Sequence, residues 1–217
     1  MMPLEAHGLH RFYRRGGSEV AALLDVSVSC AEGETVAVTG PSGSGKSTLV
    51  GLLAGLDDPD GGAVHVAGER LSHQSPAVAA RLRARHLGVL TQSNALLGHL
   101  TVLENVRFAV SLRPAGGPAP EELLEGLGLT PVRRSIPRTL SGGETARAGL
   151  AVALAGAPAV LLADEPTAEV SSAEEESILD LLRQWRPKHG ATVIVTHSAA
   201  VAAHADRVVQ LRDGRLA

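Results

Sequence analysis

Aromatic side chains are scarce in this 217-residue chain: they make up 2% of it, with one tyrosine and one tryptophan. Proteins that hold single-stranded nucleic acid stack successive bases on several aromatic rings, and this chain has too few rings for such a platform. Lysine and arginine number 20 against 23 acidic residues, so the net charge is only −3. A nearly balanced charge gives no general attraction to nucleic acid or anionic lipid. We therefore expect no nucleic-acid partner.

Cysteine is rare, and long apolar runs are missing. The single cysteine, Cys30, has no partner for an internal disulfide and is expected to be a buried small apolar residue. The longest apolar stretch, 148–163, is shorter than the ~20 residues of a membrane span, and Gly156 and Pro158 divide it into a helix and a strand. The first residues lack the apolar run of a signal peptide. These absences predict a soluble chain that would reach a membrane only through a partner.

Glycine is abundant, and several glycines fall in the stretch GPSGSGKST at 40–48. This stretch fits the pattern G-x-x-x-x-G-K-[ST] between a predicted strand at 35–39 and an apolar helical run at 48–53. Glycines let backbone N–H groups turn inward around an anion, and the helix points its positive N-terminus at the same place. Lys46 would then reach the β- and γ-phosphates, and the Ser47 hydroxyl would bind Mg²⁺. The alternative is a flexible glycine turn with an incidental lysine, in a chain that has only two lysines.

Two further apolar strands, predicted at 159–163 and 192–196, end in polar side chains. Fully apolar strands are typical of a parallel sheet buried on both faces, and such sheets bind ligands at their carboxyl edge. Because adjacent residues leave a strand in different directions, Asp164 would hold Mg²⁺ while Glu165 would face the water that attacks the γ-phosphate. His197 would contact the γ-phosphate and sense its presence. One alternative is that the acids at the strand end only cap nearby backbone. Another is that the histidine is there by chance.

The stretch LSGGE at 140–144 precedes a predicted helix and has the spacing of a capping box. In that interpretation the Ser141 hydroxyl caps the helix and Glu144 reaches back. Capping does not account for Gly142 and Gly143, which let a backbone come very close to another group. Since a helix N-terminus favours an anion, a second phosphate contact is expected here.

Strand patterns at 4–12 and 20–30 predict an N-terminal hairpin that could cover one side of a nucleotide. Tyr13, at the end of the first strand, is either a surface on which a purine stacks or a half-buried core residue. Strand and helix then alternate up to residue 92, whereas 93–154 is mainly helix and loop. A helical block inserted in such an alternation predicts a second lobe of one domain.

Tyr13, GPSGSGKST, Gln92, LSGGE, LLADEPT and VTHS occur in the order and spacing of ATP-binding-cassette (ABC) ATPase domains, and the chain resembles this family over essentially its whole length. The resemblance implies an α/β fold with a P-loop NTPase (RecA-like) core, an N-terminal antiparallel β subdomain and an inserted α-helical subdomain. It implies one domain over 1–217, with a RecA-like and β lobe at 1–92 and 155–217 and a helical subdomain at 93–154. The stretch TQSNALLGHLTVLENV is similar to lipoprotein-releasing, macrolide-exporting and cell-division subunits.

The resemblance also implies site roles, with ATP and Mg²⁺ as cofactors. Tyr13 would stack on adenine, Glu165 would be the general base and His197 the switch residue. The residues expected to contact the nucleotide are Tyr13, Gly40, Pro41, Ser42, Gly43, Ser44, Gly45, Lys46, Ser47, Thr48, Gln92, Ser141, Gly142, Gly143, Glu144, Asp164, Glu165 and His197. Those expected in catalysis are Lys46, Gln92, Glu165 and His197, and those expected around Mg²⁺ are Ser47, Gln92 and Asp164.

A head-to-tail dimer is also implied, with a homodimer favoured over a heterodimer. Ser141, Gly142 and Gly143 would bind the γ-phosphate of ATP held by the other subunit. ATP would close the dimer, hydrolysis would reopen it, and a transmembrane permease held near Gln92 would convert the motion into transport. The chain would then lie at the cytoplasmic face of the inner membrane.

One alternative is a regulatory ABC ATPase of a membrane complex. The other is a metabolite kinase, which leaves LSGGE and the helical lobe unexplained.

Three positions depart from the family pattern. Ser171 stands where the loop after DEPT usually ends in Asp, Val152 where the following helix usually has Arg, and Ser198 where Asp commonly follows the switch histidine. None of the three removes a phosphate, metal or base contact, so ATP hydrolysis is expected to be retained. The coupling between the two sites of a dimer is left open.

Overall fold

The computed structural model describes residues 2–15, 18–91, 96–113, 117–187 and 189–217. The strands in these residues are β1 (Leu4–Arg15), β2 (Ser18–Cys30), β3 (Thr35–Thr39), β4 (Gly61–Val66), β5 (Glu69–Arg70), β6 (Leu87–Leu90), β7 (Val160–Asp164), β8 (Ala191–Val195), β9 (Arg207–Arg212) and β10 (Arg215–Leu216). The helices are α1 (Lys46–Leu53), α2 (Pro76–His86), α3 (Val102–Ser111), α4 (Pro120–Gly126), α5 (Gly142–Leu154), α6 (Ser172–Gln184) and α7 (Ala199–Ala202), with 3₁₀ turns at Thr130–Val132 and Pro137–Thr139.

The strands form two sheets. An antiparallel sheet has the order β2-β1-β4-β5 and contains the predicted N-terminal hairpin. The second sheet has the order β10-β9-β3-β8-β7-β6, in which the strands from β9 to β6 run parallel and β10 pairs antiparallel with β9. The predicted α/β fold, with its antiparallel N-terminal part, is confirmed. Because β8 lies between β3 and β7, the residues that follow these three strands meet at one edge of the sheet.

Strand β7, inside the parallel sheet, is buried on both faces. Val160 and Leu162 of β7 pack in a cluster with the hairpin and α1, while Leu161 and Ala163 pack in a second cluster with the helices α3 to α6. All four side chains are at most 1% exposed. Since burying one Val or Leu side chain contributes roughly 1.5–3 kcal/mol, this double burial explains why β7 is apolar at every position before Asp164.

The described part of 93–154, predicted to be mainly helix and loop, contains the helices α3, α4 and α5. They share their cluster with residues of β6, β7 and β8, so the helical block packs directly on the sheet. Residues 92–95 lie outside the described residues, and the division into two lobes stays a prediction. No helix in the described ranges is long and apolar enough to cross a bilayer.

Several short elements were not predicted from the sequence, namely β5, β10 and α7. Each has two to four residues, too few for a periodicity to be recognised. Strand β4 ends at Val66, because Ala67 and Gly68 adopt left-handed φ values of 49° and 80° in the turn to β5.

Cys30 is buried in the core, as predicted. Its Sγ donates to the carbonyl oxygens of Glu34 at 3.3 Å and Thr192 at 3.5 Å. Burial, together with the negative charge of Glu34, raises the pKa of the thiol to about 12.

Because the thiolate is the reactive form, the native protein near neutral pH is expected to react with a thiol-specific disulfide reagent about a hundred-fold more slowly than the unfolded chain. The measurement is the rate of thiol release with and without guanidinium, and a Cys30→Ser variant gives the blank. Fast reaction of the native protein would contradict the burial of this thiol.

Candidate functional site

One cleft of about 670 Å³ brings together most of the residues predicted from separate parts of the sequence. The predicted residues that line it are Tyr13, Ser42, Gly43, Gly45, Lys46, Ser47, Thr48, Asp164, Glu165 and His197. We call it the nucleotide cleft. Its volume is within the range of pockets that enclose small-molecule ligands.

The loop from Gly40 to Gly45 needs glycine for its backbone path. Gly43 and Gly45 have left-handed φ values of 80° and 105°. A Cβ on Gly40 would overlap the carbonyl oxygen of Leu211, and a Cβ on Gly45 would overlap that of Ala22. The two glycines of the sequence pattern therefore stand where neighbouring backbone leaves no space for a side chain.

Donors in this loop suit a phosphate group. Lys46 donates from Nζ to the carbonyl oxygens of Gly40 at 2.8 Å and Pro41 at 3.0 Å, so its ammonium group lies against the loop. The hydroxyl of Ser44 is buried and has no hydrogen-bond partner in the described part of the chain. A cation and an unpaired donor beside the N-terminus of α1 form an environment that favours an anion.

Ser47 and Asp164, the two described residues that are predicted to supply oxygen ligands for Mg²⁺, line the same cleft. Burial and the nearby charge of Glu165 raise the pKa of the Asp164 carboxyl, and the charge of Lys46 opposes this shift. No group of three His, Cys, Asp or Glu side chains in the described ranges is placed to hold a metal ion. One carboxylate and one hydroxyl fit Mg²⁺, which takes further ligands from water and phosphate. Gln92 lies outside the described residues, so its contact stays a prediction.

Glu165 and His197 contact each other directly. Oε1 of Glu165 lies 2.7 Å from His197 Nδ1 and accepts the His197 backbone N–H at 3.0 Å. Oε2 accepts the hydroxyl of Thr196 at 3.0 Å. Glu165 itself has a left-handed φ of 49°, which is uncommon for a residue with a side chain and clusters at functional sites. The carboxylate is therefore held at the end of β8, in one orientation.

Tyr13 lies within β1, opposite Val20, and is 41% exposed. Its hydroxyl donates to Asp57 at 3.2 Å, and the guanidinium carbon of Arg11 lies 4.9 Å from the ring centroid. Arg11 in turn forms an ion pair with Asp57 at 2.8 Å. The ring is thus held in place while it lines the cleft, and stacking of adenine on it stays a prediction.

The residues Ser141 to Glu144 are not among those that line the nucleotide cleft of their own chain. The predicted capping box is confirmed: the Ser141 hydroxyl accepts the Glu144 N–H at 3.2 Å, and Glu144 accepts the Ser141 N–H at 2.8 Å. Gly142 also has a reason within the chain, whereas at Gly143 the group in the way is the movable end of a side chain. A Cβ on Gly142 would overlap the carbonyl oxygen of Glu169, and a Cβ on Gly143 would overlap a carboxylate oxygen of Glu174.

The three departures from the family pattern take part in local helix structure. Ser171 is the N-cap residue of α6, and its hydroxyl donates to Glu174 at 3.0 Å. Ser198 caps α7 by accepting the Val201 N–H at 3.3 Å. Val152 packs half-buried against the helical cluster. None of the three is among the described residues that line the cleft.

Four residues of the cleft were missed from the sequence: Val20, Ala21, Ala22 and Ala168. Small apolar side chains carry no chemical signal, and only the position of the hairpin against the phosphate loop brings the first three to the cleft. The prediction that the hairpin could cover one side of the site was therefore correct in outline without identifying the residues.

Comparisons with known proteins agree with this geometry. The family model described as ABC transporter matches residues 23–168. The ABC transporter ATP-binding protein YbbA of Escherichia coli (strain K12) is 41% identical over 218 residues, which cover 98% of this chain and 96% of YbbA. The macrolide export ATP-binding/permease protein MacB of Rhodopirellula baltica is 40% identical over 221 residues, and the match spans 99% of this chain but only 32% of MacB.

A solved structure is similar over nearly its whole length. It is the dimeric ATP-binding cassette MJ0796 in a post-hydrolysis state bound to ADP and Pi. The TM-score is 0.90 at 31% identity, and the alignment covers 98% of this chain and 96% of that one.

Proposed function

Because the chain belongs to the ABC transporter family and is an ABC-type ATPase, we propose that it powers a membrane permease, with Mg²⁺ and the cleft residues performing hydrolysis. The observation that carries the proposal is the convergence of Lys46, Asp164, Glu165 and His197 on one cleft. These residues follow three separate strands. The packing of the strands does not require a lysine, two acids and a histidine at this place.

Each side chain has a step that its position supports. Lys46 neutralises the β- and γ-phosphates, and Glu165 accepts the proton of the attacking water. His197 holds the Glu165 carboxylate at 2.7 Å and contacts the γ-phosphate. Ser47 and Asp164 would hold Mg²⁺, which would supply further charge neutralisation for the phosphates.

The loop 141–143 is proposed to complete the nucleotide cleft of a second copy of the chain. Three observations support this: the segment does not line its own cleft, it forms the N-cap and the first two residues of α5, and the similar cassette MJ0796 is dimeric. Helix N-terminal N–H groups favour an anion such as a γ-phosphate.

A Ser141→Arg substitution is therefore expected to prevent ATP-driven dimerisation, because a bulky cation would block the approach of the second subunit. The measurement is molecular mass by light scattering in Mg²⁺–ATP, in a Glu165→Gln background that keeps ATP intact. The wild-type loop should give a dimer and the variant a monomer. Thr130→Arg, at an exposed site of the same helical region, is the matched control. A Ser141→Arg protein that still dimerises would contradict the proposal.

A group of exposed apolar side chains supports contact with a permease. Leu97, Phe108 and Leu112 are 38%, 47% and 59% exposed. Asn105 fixes the backbone of Leu97 by accepting its N–H at 2.7 Å and donating to its carbonyl at 3.2 Å. Phe108 and Leu112 are four residues apart at the end of α3, and Leu97 is bonded to Asn105 of the same helix. Exposed apolar residues on one element mark protein interaction sites. We assign the permease contact to this surface, which follows Gln92 in the chain and would place the subunit at the cytoplasmic face of the inner membrane.

Phe108→Asp is expected to lower recovery of the membrane partner about ten-fold, since loss of a central aromatic contact commonly costs about 2 kcal/mol or more. The measurement is co-purification from membranes with mass spectrometry of the recovered partner. Leu56→Asp, at a separate apolar site that is 66% exposed, should leave recovery unchanged. Recovery of a free monomer under every nucleotide condition would contradict transport. A membrane partner without ATP-driven transport would favour the regulatory alternative.

A further inference from the structure

Within the described part of the chain, two side chains hold the Glu165 carboxylate, and they differ in how freely they can move. The hydroxyl of Thr196 donates to Oε2 at 3.0 Å, and His197 Nδ1 lies 2.7 Å from Oε1. Thr196 is 1% exposed, whereas the side chain of His197 is 72% exposed. Packing therefore fixes the threonine, while the imidazole is largely surrounded by solvent and can turn away.

The hydrogen of the Thr196 hydroxyl has one direction available. The backbone N–H of Ser198 donates to Thr196 Oγ1 at 3.0 Å. A backbone N–H can only donate and an ionised carboxylate can only accept, so the hydroxyl accepts from Ser198 and donates to Glu165. A hydrogen bond to an ionised acceptor is about twice as strong as one between neutral groups. The threonine is thus a directed donor to the carboxylate.

The backbone around Thr196 is anchored on both sides. Its N–H donates to the carbonyl oxygen of Val38 in β3 at 3.1 Å, which continues the pairing of β8 with β3 by one residue. On the other side, Ser198 caps α7 by accepting the Val201 N–H, and Val201 is fully buried in the helical cluster. The sheet and α7 therefore set the position of the hydroxyl.

The two contacts differ in their consequences once a nucleotide is bound. In the proposed mechanism His197 contacts the γ-phosphate, and Glu165 accepts a proton from water. An imidazole that turns towards a phosphate leaves a site on Oε1 that the water can occupy. The backbone N–H of His197 would then hold Oε1 alone, and a carboxylate held at one oxygen can rotate about that contact. The Thr196 hydroxyl prevents this rotation by holding the other oxygen.

We propose that Thr196 is a positioning residue for ATP hydrolysis, whose hydroxyl holds Oε2 of Glu165 so that Oε1 faces the attacking water. The inference rests on the proposed role of Glu165 as general base. In the step concerned, a proton of the water passes to Oε1 and the water oxygen bonds to the γ-phosphorus. The bond from that phosphorus to the β–γ bridging oxygen breaks, and its electron pair leaves with ADP.

The test removes the hydroxyl while keeping the branched shape of the side chain. Thr196→Val is expected to lower kcat about ten- to a hundred-fold, because a small misplacement of a reacting group slows the chemical step by this order. The KM for ATP and the equilibrium ATP affinity should change by less than about two-fold. Thr196→Ser keeps the hydroxyl and should retain kcat within about three-fold. The measurements are phosphate release over a range of Mg²⁺–ATP concentrations, ATP affinity and unfolding in denaturant.

Thr192→Val is the matched control. Thr192 lies on the same strand, is 2% exposed, and has a hydroxyl without a hydrogen-bond partner among the described residues. Replacing an unpaired buried hydroxyl by a methyl group should leave kcat unchanged and should not lower the free energy of unfolding. A kcat of Thr196→Val equal to that of Thr192→Val would overturn the proposal. Equal losses in Thr196→Val and Thr196→Ser would also overturn it, as would a parallel loss of kcat and ATP affinity in Thr196→Val.

A double variant tests whether the threonine acts through Glu165. A chain that carries both Thr196→Val and Glu165→Gln should hydrolyse ATP no more slowly than Glu165→Gln alone, and a further loss of about ten-fold would contradict the proposal. Wild-type hydrolysis by Glu165→Gln would defeat the proposed general base and this inference with it. Slow hydrolysis by Glu165→Gln together with an unchanged kcat in Thr196→Val would defeat this inference alone.

Discussion

Replacing Glu165 by Gln is expected to lower ATP hydrolysis by about a hundred- to ten-thousand-fold while ATP binding is retained. The amide keeps the size of the side chain. Its oxygen can accept the His197 backbone N–H, and its NH₂ can donate to the Thr196 hydroxyl, so the cleft keeps its shape. It cannot accept a proton from water at neutral pH, so only the chemical step is lost. The measurements are phosphate release under saturating ATP and nucleotide affinity at equilibrium.

A matched control separates this effect from a general loss of acidic charge. Glu122→Gln replaces an exposed acid of α4, outside the cleft, and should leave the rate unchanged. If purified Glu165→Gln protein hydrolyses ATP as fast as the wild type, Glu165 is not the general base. If hydrolysis and ATP affinity fall together, the side chain acts mainly through the shape of the cleft.

Gly45→Ala is expected to lower ATP affinity about a hundred-fold, because the loop must leave its anion-binding conformation. Gly45 has a φ of 105°, and a Cβ would overlap the carbonyl oxygen of Ala22 on the hairpin. The left-handed conformation alone costs an alanine about 1–2 kcal/mol, and the overlap adds to this. The measurements are ATP affinity and the free energy of unfolding, and both are expected to decrease.

Gly51→Ala, a few residues further along the chain, is expected to raise stability and leave ATP binding unchanged. Gly51 lies within α1, and a Cβ there meets nothing within 4 Å. Alanine in a helix is more stable than glycine by roughly 0.5–1 kcal/mol, so this variant should unfold at higher denaturant concentration and bind ATP normally. A Gly45→Ala protein that binds ATP like Gly51→Ala would show that the loop tolerates a side chain.

Local features of the site were predictable from the sequence because their cause is local. The phosphate loop needs glycines, a lysine and a helix start within the nine residues 40–48, and the structure has that order. The capping box at Ser141 and Glu144 spans four residues and was also predictable. Even here α1 begins at Lys46, two residues before the predicted run, because a helix start depends on backbone angles that the apolar pattern does not describe.

The residue types at the strand ends indicated a site in the sequence. The sequence did not indicate which residues they contact in the fold. The order β3-β8-β7 decides that Glu165 meets His197 and Thr196, which are 32 and 31 residues away. The same holds for Tyr13, which is held by Asp57, 44 residues away. Such contacts depend on how sheets and helices pack, and no periodicity in the sequence encodes them.

The sequence by itself determined the chemistry of this protein: the lysine, hydroxyl, acids and histidine of a nucleotide site, the strand and helix alternation, and the likeness to ABC ATPases. Only the tertiary structure decided which of these groups share a cleft, and that the backbone of Glu169 leaves no space for a side chain at position 142. The physical reason is distance along the chain. Propensity, capping and loop geometry act within a few residues, whereas clefts arise where distant segments are brought together by burial of the apolar faces of the sheet.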